Sequence, residues 1–183
     1  YKGKHTILTG ENGSGKSTLL ALASGIYFPV NGKISSFTEK FGYVSAHPYI
    51  FKDSLKNNLK YGSEHLDHEE DYLIDLLKEF NVFKAEAEYN LGNIVTNKSL
   101  SSGQMQKIGF IRAIISKPDV ILLDESTSNL DYDSKQIVFN ILENKNITII
   151  NSTHDPENFD FADVHIKIDV NDGQRTVLSD YKK

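Results

Sequence analysis

The sequence predicts an α/β fold with a mainly parallel sheet, and three observations carry that prediction. Short apolar runs alternate with segments of helical periodicity. A glycine-rich turn follows the first run directly. The continuous apolar run Val120–Leu123 is bounded by Pro118-Asp119 and Asp124-Glu125, as suits a strand buried on both faces. The 183 residues are enough for about one domain with a real core.

Each element has its own signal. Thr6–Thr9 reads as a strand, Gly10–Lys16 as a turn, and Ser17–Ser24 as a helix that Gly25 is placed to end. Lys33–Phe37 and Phe41–Ser45 read as two strands around a polar turn. From Asp53 to about Tyr89 the pattern is helical, with Tyr72, Leu73, Leu76, Leu77 and Phe80 on one face. Gln104–Ser116 forms a second amphipathic helix through Met105, Ile108, Ile111 and Ile115. Ser134–Glu143 is helical and Ile147–Asn151 is a strand. Asp155-Pro156-Glu157 is a helix start, with Asp as cap and Pro in the first turn. Val164–Ile168 and Thr176–Leu178 read as closing strands. The helical stretch 53–90 interrupts the alternation and reads as a subdomain inserted into a core of 1–52 and 91–183. The helix at 100–116 continues that subdomain.

Composition excludes several classes. The chain is 39% hydrophobic and 25% charged, which rules out disordered and low-complexity chains. A net charge of −5 disfavours a nucleic-acid binder that relies on overall basic charge. With no cysteine there is no disulfide, thiol catalyst or thiolate metal site. No apolar run approaches the roughly 18 residues that a membrane span needs.

The chemistry begins at Gly10-Glu11-Asn12-Gly13-Ser14-Gly15-Lys16-Ser17, followed by Thr18. This matches G-x-x-x-x-G-K-[ST] between a strand and a helix. Glycines let successive N–H groups turn inward on phosphate oxygens, and the helix presents its positive end to the same anion. Lys16 suits the β- and γ-phosphates, and the Ser17 hydroxyl suits Mg²⁺. Asp124 and Glu125 end an apolar strand. One carboxylate there can hold the metal and the next can activate water. Such a pair alone more often caps a turn; beside the phosphate loop it reads as catalytic.

In their order, these motifs resemble the nucleotide-binding domain of ABC (ATP-binding cassette) ATPases. Residues 10–17 resemble Walker A, and Val120–Asp124 resembles Walker B, with Glu125 at the catalytic-base position. Leu100-Ser101-Ser102-Gly103-Gln104 resembles the LSGGQ signature, Ser128-Asn129-Leu130-Asp131 the D-loop, and His154 the switch histidine. The resemblance implies a P-loop NTPase fold, ATP and Mg²⁺ as ligands, and ATP hydrolysis. It assigns Glu125, His154 and Lys16 to catalysis, and Ser17 and Asp124 to the metal. It gives nucleotide contacts to residues 10–18, to Ser101, Ser102, Gly103 and Gln104, and to Asp131. It also implies head-to-tail pairing with a second such domain, whose ATP the signature would bind.

The run Phe41–Phe51 and the spacing around Tyr89–Gln104 resemble exporter-type members. That implies a transmembrane partner against Ala46–Phe51 and the helical subdomain, at the cytoplasmic face of a membrane. Tyr49–Phe51 is expected near that partner surface, with simple core packing as the alternative.

Three departures qualify the resemblance. Ala46 stands where the family has the Q-loop glutamine, so slowed hydrolysis or altered coupling is expected. Ser102 replaces the first signature glycine, which is tolerated if its φ is negative. The chain opens about one strand before Walker A, so the antiparallel N-terminal β-subdomain is expected to be incomplete and to lack its adenine-stacking aromatic. Weak, phosphate-led binding with little base selectivity is the expected result. A regulatory or degenerate module with little hydrolysis is the rival reading, and a soluble ABC ATPase acting on nucleic acid ranks lower. Residues Glu64–Asp71 include metal-ligand types, but an acidic helix start also suits the helix dipole.

Overall fold

The structure is a computed structural model and describes residues 2–63, 66–154, 162–171 and 174–181. Tyr1, Lys182, Lys183, the helix start at Asp155-Pro156-Glu157, and Glu64 and His65 of the acidic run lie outside the described residues.

The chain divides into two compact units. The first comprises Tyr1–Tyr43, Asp119–Glu125 and Asn146–Lys183; the second comprises Val44–Pro118 and Ser126–Lys145.

The first unit is built on a six-stranded sheet. Its strands are β1 (His5–Gly10), β2 (Phe41–Ser45, entering through residues 41–43), β5 (Val120–Asp124), β6 (Thr148–Ser152), β7 (Val164–Asn171) and β8 (Gln174–Tyr181). The order is β2-β5-β6-β1-β7-β8. β1 runs parallel to β6 and β7, β5 runs parallel to β6, and β8 closes the edge antiparallel to β7. Val120–Leu123 are all buried, which explains an apolar run without alternation. Helix α1 (Lys16–Ala23) follows β1. Its Leu20 joins Leu8, Val120, Leu122 and Ile168 in one apolar cluster. Gly25 ends α1 in the left-handed region at φ 78°, and its N–H donates to Leu22 O.

Lys33–Phe37 forms no strand, contrary to the sequence pattern. The apolar side chains around it face solvent: Phe28 is 86% exposed, Val30 97% and Phe37 56%. A strand needs a partner for its backbone groups, and none of the described residues supplies one here.

The second unit is mainly helical. It holds β3 (Asp53–Ser54), α2 (Leu55–Lys60), α3 (Glu70–Glu79), a 3₁₀ turn at Glu86–Tyr89, β4 (Ile94–Val95), α4 (Ser102–Ile115) and α5 (Tyr132–Asn144). The long helical reading of 53–89 is therefore broken. Gly62, at φ 84°, stands at the break after α2, and Asn81, at φ 47°, stands just beyond α3. Leu73, Leu76, Leu77 and Phe80 are buried along one stripe of α3. Glu70 and Asp71 occupy its first turn, where acidic residues complement the dipole. Arg112 of α4 bonds the backbone oxygens of Tyr49 and Asn58 and the Asn58 side chain, tying α2 and the segment before it to α4.

Candidate functional site

The glycine-rich turn has the geometry its residue types demand. Gly10, Gly13 and Gly15 have φ of 154°, 78° and 104°, values that side-chain-bearing residues rarely adopt. A Cβ on Gly10 would lie 2.7 Å from both Ile168 O and Ser14 Oγ. The turn can therefore close only around glycine. Ser14 Oγ is buried and has no hydrogen-bond partner among the described residues. Lys16 is 4% exposed, and its ammonium donates to Gly10 O at 2.9 Å and Glu11 O at 3.2 Å. The cation thus lies across the mouth of the turn, while Glu11, Asn12, Gly13, Ser17 and Thr18 stay exposed.

Three strands bring further groups to this turn, β5 and β6 from their ends and β2 from its middle. Asp124, at the end of β5, accepts from Ser17 Oγ at 2.9 Å and Ser152 Oγ at 3.1 Å through Oδ1. Its Oδ2 accepts from the Tyr43 hydroxyl at 2.8 Å. Burial, reinforced by that bond, raises the Tyr43 pKa. Glu125 sits at φ 52°, an uncommon conformation for a residue with a Cβ. Its N–H donates to Ser152 O. Its Oε1 lies 2.7 Å from His154 Nε2 and 4.0 Å from Lys16 Nζ. Lys16, Ser17, Asp124, Glu125 and His154 are therefore one cluster. Tyr43 and Ser152 belong to it, although no motif marks them; each reaches Asp124 from far along the chain.

The donor set fits a hard divalent cation bound to a phosphate chain. Ser17 Oγ and Asp124 Oδ1 are oxygen ligands of the type Mg²⁺ takes, 2.9 Å apart and on the exposed side of the turn.

The second unit holds the remaining predicted residues. Ser101 caps α4: its Oγ accepts from Gln104 N at 3.2 Å, and Gln104 Oε1 accepts from Ser101 N at 2.8 Å. Ser102 is the first residue of α4 and keeps a negative φ, so this departure from glycine causes no backbone strain. Gly103 faces Asn129 O, 3.6 Å from where a Cβ would lie. Asp131 caps α5 by accepting from Ser134 N at 2.8 Å, and that bond holds its carboxyl below the usual range. Ser101, Gly103, Gln104, Lys107 and Asp131 line one cavity of about 430 Å³. Burial lowers the pKa of Lys107, and its ammonium donates to Asn81 O.

Ala46 O accepts from Asn129 Nδ2 at 3.1 Å, and its methyl side chain offers no ligand. Tyr49 is 63% exposed, Ile50 is 2% exposed, and Phe51 is intermediate. The run thus divides between surface and core.

Among the described residues no helix is long and apolar enough to cross a membrane.

Comparison with known proteins agrees with this geometry. The family model described as "ABC transporter" matches residues 1–128. "ABC transporter B family member 3" of Dictyostelium discoideum is 36% identical over 165 residues, which covers 78% of this chain and 11% of that protein. "ATP-binding cassette sub-family B member 5" of Homo sapiens is 30% identical over 164 residues, covering 77% and 12%. The chain thus spans about one-ninth to one-eighth of the length of these relatives. A solved bacterial Atm1-family ABC exporter with ATP bound superposes with a TM-score of 0.78 at 21% identity, covering 96% of this chain and 33% of that one. At that identity the likeness is one of fold.

Proposed function

We propose, from the premise that this chain belongs to the ABC transporter family, that it binds and hydrolyses ATP to power export across a membrane. The observation that carries the proposal is the cluster of Lys16, Ser17, Asp124, Glu125 and His154 at one glycine turn.

Each residue has a role its geometry supports. The N–H groups of the turn and of the first turn of α1 bind the phosphate chain. Lys16 exchanges its bonds to Gly10 O and Glu11 O for bonds to the β- and γ-phosphates. Ser17 and Asp124 would hold Mg²⁺, which when bound neutralises phosphate charge. Glu125 Oε1 accepts a proton from the attacking water. His154 Nε2, 2.7 Å from that carboxylate, holds it in position before nucleotide binds and turns its N–H to the γ-phosphate once ATP is bound. Catalysis is then mainly positioning and charge stabilisation.

Membership of the family supports pairing with a second domain and with a membrane domain. Ser101–Gln104 and Asp131 contribute to the ATP site of a second, head-to-tail domain. The capped start of α4 suits that anion contact. A transmembrane domain docks on Ala46–Phe51 and the helical subdomain, with this domain at the cytoplasmic face. One residue favours a slower variant: the Ala46 methyl cannot ligate metal or report phosphate occupancy, so weak basal hydrolysis is part of the proposal.

Steady-state phosphate release from Mg²⁺·ATP tests this reading. Hydrolysis that Lys16→Ala removes supports it. Absence of both hydrolysis and ATP binding in the wild-type chain contradicts it.

A further inference from the structure

We infer that Arg175 of the edge strand β8 is a nucleotide-contacting residue, supplying a second cation to the phosphate loop beside Lys16. The inference rests on the loop binding nucleotide, as proposed above.

Its basis is a contact spanning 161 positions of sequence. Arg175 Nε donates to Ser14 O at 2.9 Å, at the apex of the glycine turn. The side chain also lies against Gly15: a Cβ there would sit 3.5 Å from Arg175 Nε and 3.9 Å from its Cδ. These are ordinary van der Waals distances, so the arginine stem packs directly over the Gly15 backbone. β8 pairs with β7 through Arg175 and Val170, and β7 pairs with β1 through Ile168 and Gly10. The sheet itself thus carries this arginine back to the loop that follows β1.

The placement leaves the charge unspent. The Nε–H is one of several donors on the guanidinium, and the Nη groups have no hydrogen-bond partner among the described residues. Arg175 makes no ion pair with a described carboxylate. An exposed arginine tethered to an anion-binding loop by one nitrogen, without a carboxylate, has its remaining donors available for phosphate oxygens. The planar guanidinium suits bidentate contact with such oxygens. Lys16 answers from inside the loop and Arg175 from outside it, so together they can neutralise a polyphosphate better than either alone. The ligand is the phosphate chain of a nucleoside di- or triphosphate, and contact is made within one chain.

The test uses the intact chain. ATP and adenosine are titrated calorimetrically against wild type, Arg175→Ala, Arg175→Gln and Lys16→Ala at two salt concentrations. Arg175→Ala is expected to weaken ATP about tenfold and flatten the salt dependence. Adenosine binding and the melting temperature without nucleotide are expected to stay unchanged. Arg175→Gln removes the charge while retaining a donor, and should show the same loss if Arg175→Ala does not fold. Wild-type ATP affinity in both Arg175 variants, with Lys16→Ala impaired, overturns the inference and leaves the function standing. Equal weakening of ATP and adenosine together with a lower melting temperature also overturns it, since that marks a scaffold role. Wild-type affinity in Lys16→Ala overturns the functional reading itself.

Discussion

Replacing Tyr43 with Phe removes one hydroxyl and keeps the ring. That hydroxyl donates to Asp124 Oδ2 at 2.8 Å, while Ser17 and Ser152 occupy Oδ1. A hydrogen bond to a charged group contributes about 1.5–3 kcal/mol. Asp124 is only half-buried and keeps two other donors, so the loss falls at or below the low end, at about 1–1.5 kcal/mol. For a chain of this length each kcal/mol shifts the melting temperature by about 2–4 °C. Tyr43→Phe should therefore melt about 2–6 °C lower by scanning calorimetry at neutral pH. The phenol is also held protonated by burial and by Asp124, so it stays a donor well into the alkaline range. Adding Asp124→Asn should remove most of the difference, because the charge that strengthens the bond is gone. Equal melting temperatures for wild type and Tyr43→Phe would refute this reasoning.

Burial depresses the His5 pKa from 6.5 to about 4, with Asp163 opposing. The unfolded chain therefore binds the proton more readily than the folded one. Stability from this group is complete above pH 6.5 and is lost as pH falls toward 4, up to about 3 kcal/mol. Urea midpoints should show that slope in wild type and a shallower one in His5→Gln; equal slopes would contradict it. Gly109→Ala would put a Cβ 2.8 Å from Pro48 Cγ and 3.1 Å from its Cβ. Overpacking against this rigid ring costs about 1–3 kcal/mol, more than the roughly 1 kcal/mol gained in helix propensity. The variant should unfold at lower urea, and an increased midpoint would count against the close approach.

Local signals in the sequence explain why some elements were legible and others were not. Val120–Leu123 declared itself as a buried strand because four apolar residues in a row suit burial on both faces. The turn at Gly10–Lys16 was legible because its φ values admit few residue types. Lys33–Phe37 misled, since β-branched and aromatic content marks a tendency while a strand requires a partner. The break in 53–89 carried a readable cue in Gly62, at φ 84°, that periodicity alone overrode. Tyr43, Ser152 and Arg175 carry no motif. Their contacts join residues 81, 28 and 161 positions apart, so only the closed sheet brings them to the site.

The most direct measurement is single-site turnover against binding in Glu125→Gln. The substitution keeps the side chain's shape and its reach to His154 but removes the basic carboxylate. With Glu125 as the base for the attacking water, phosphate release should fall roughly 10²- to 10⁴-fold while ATP affinity stays within a few-fold of wild type. Unchanged phosphate release would contradict that assignment.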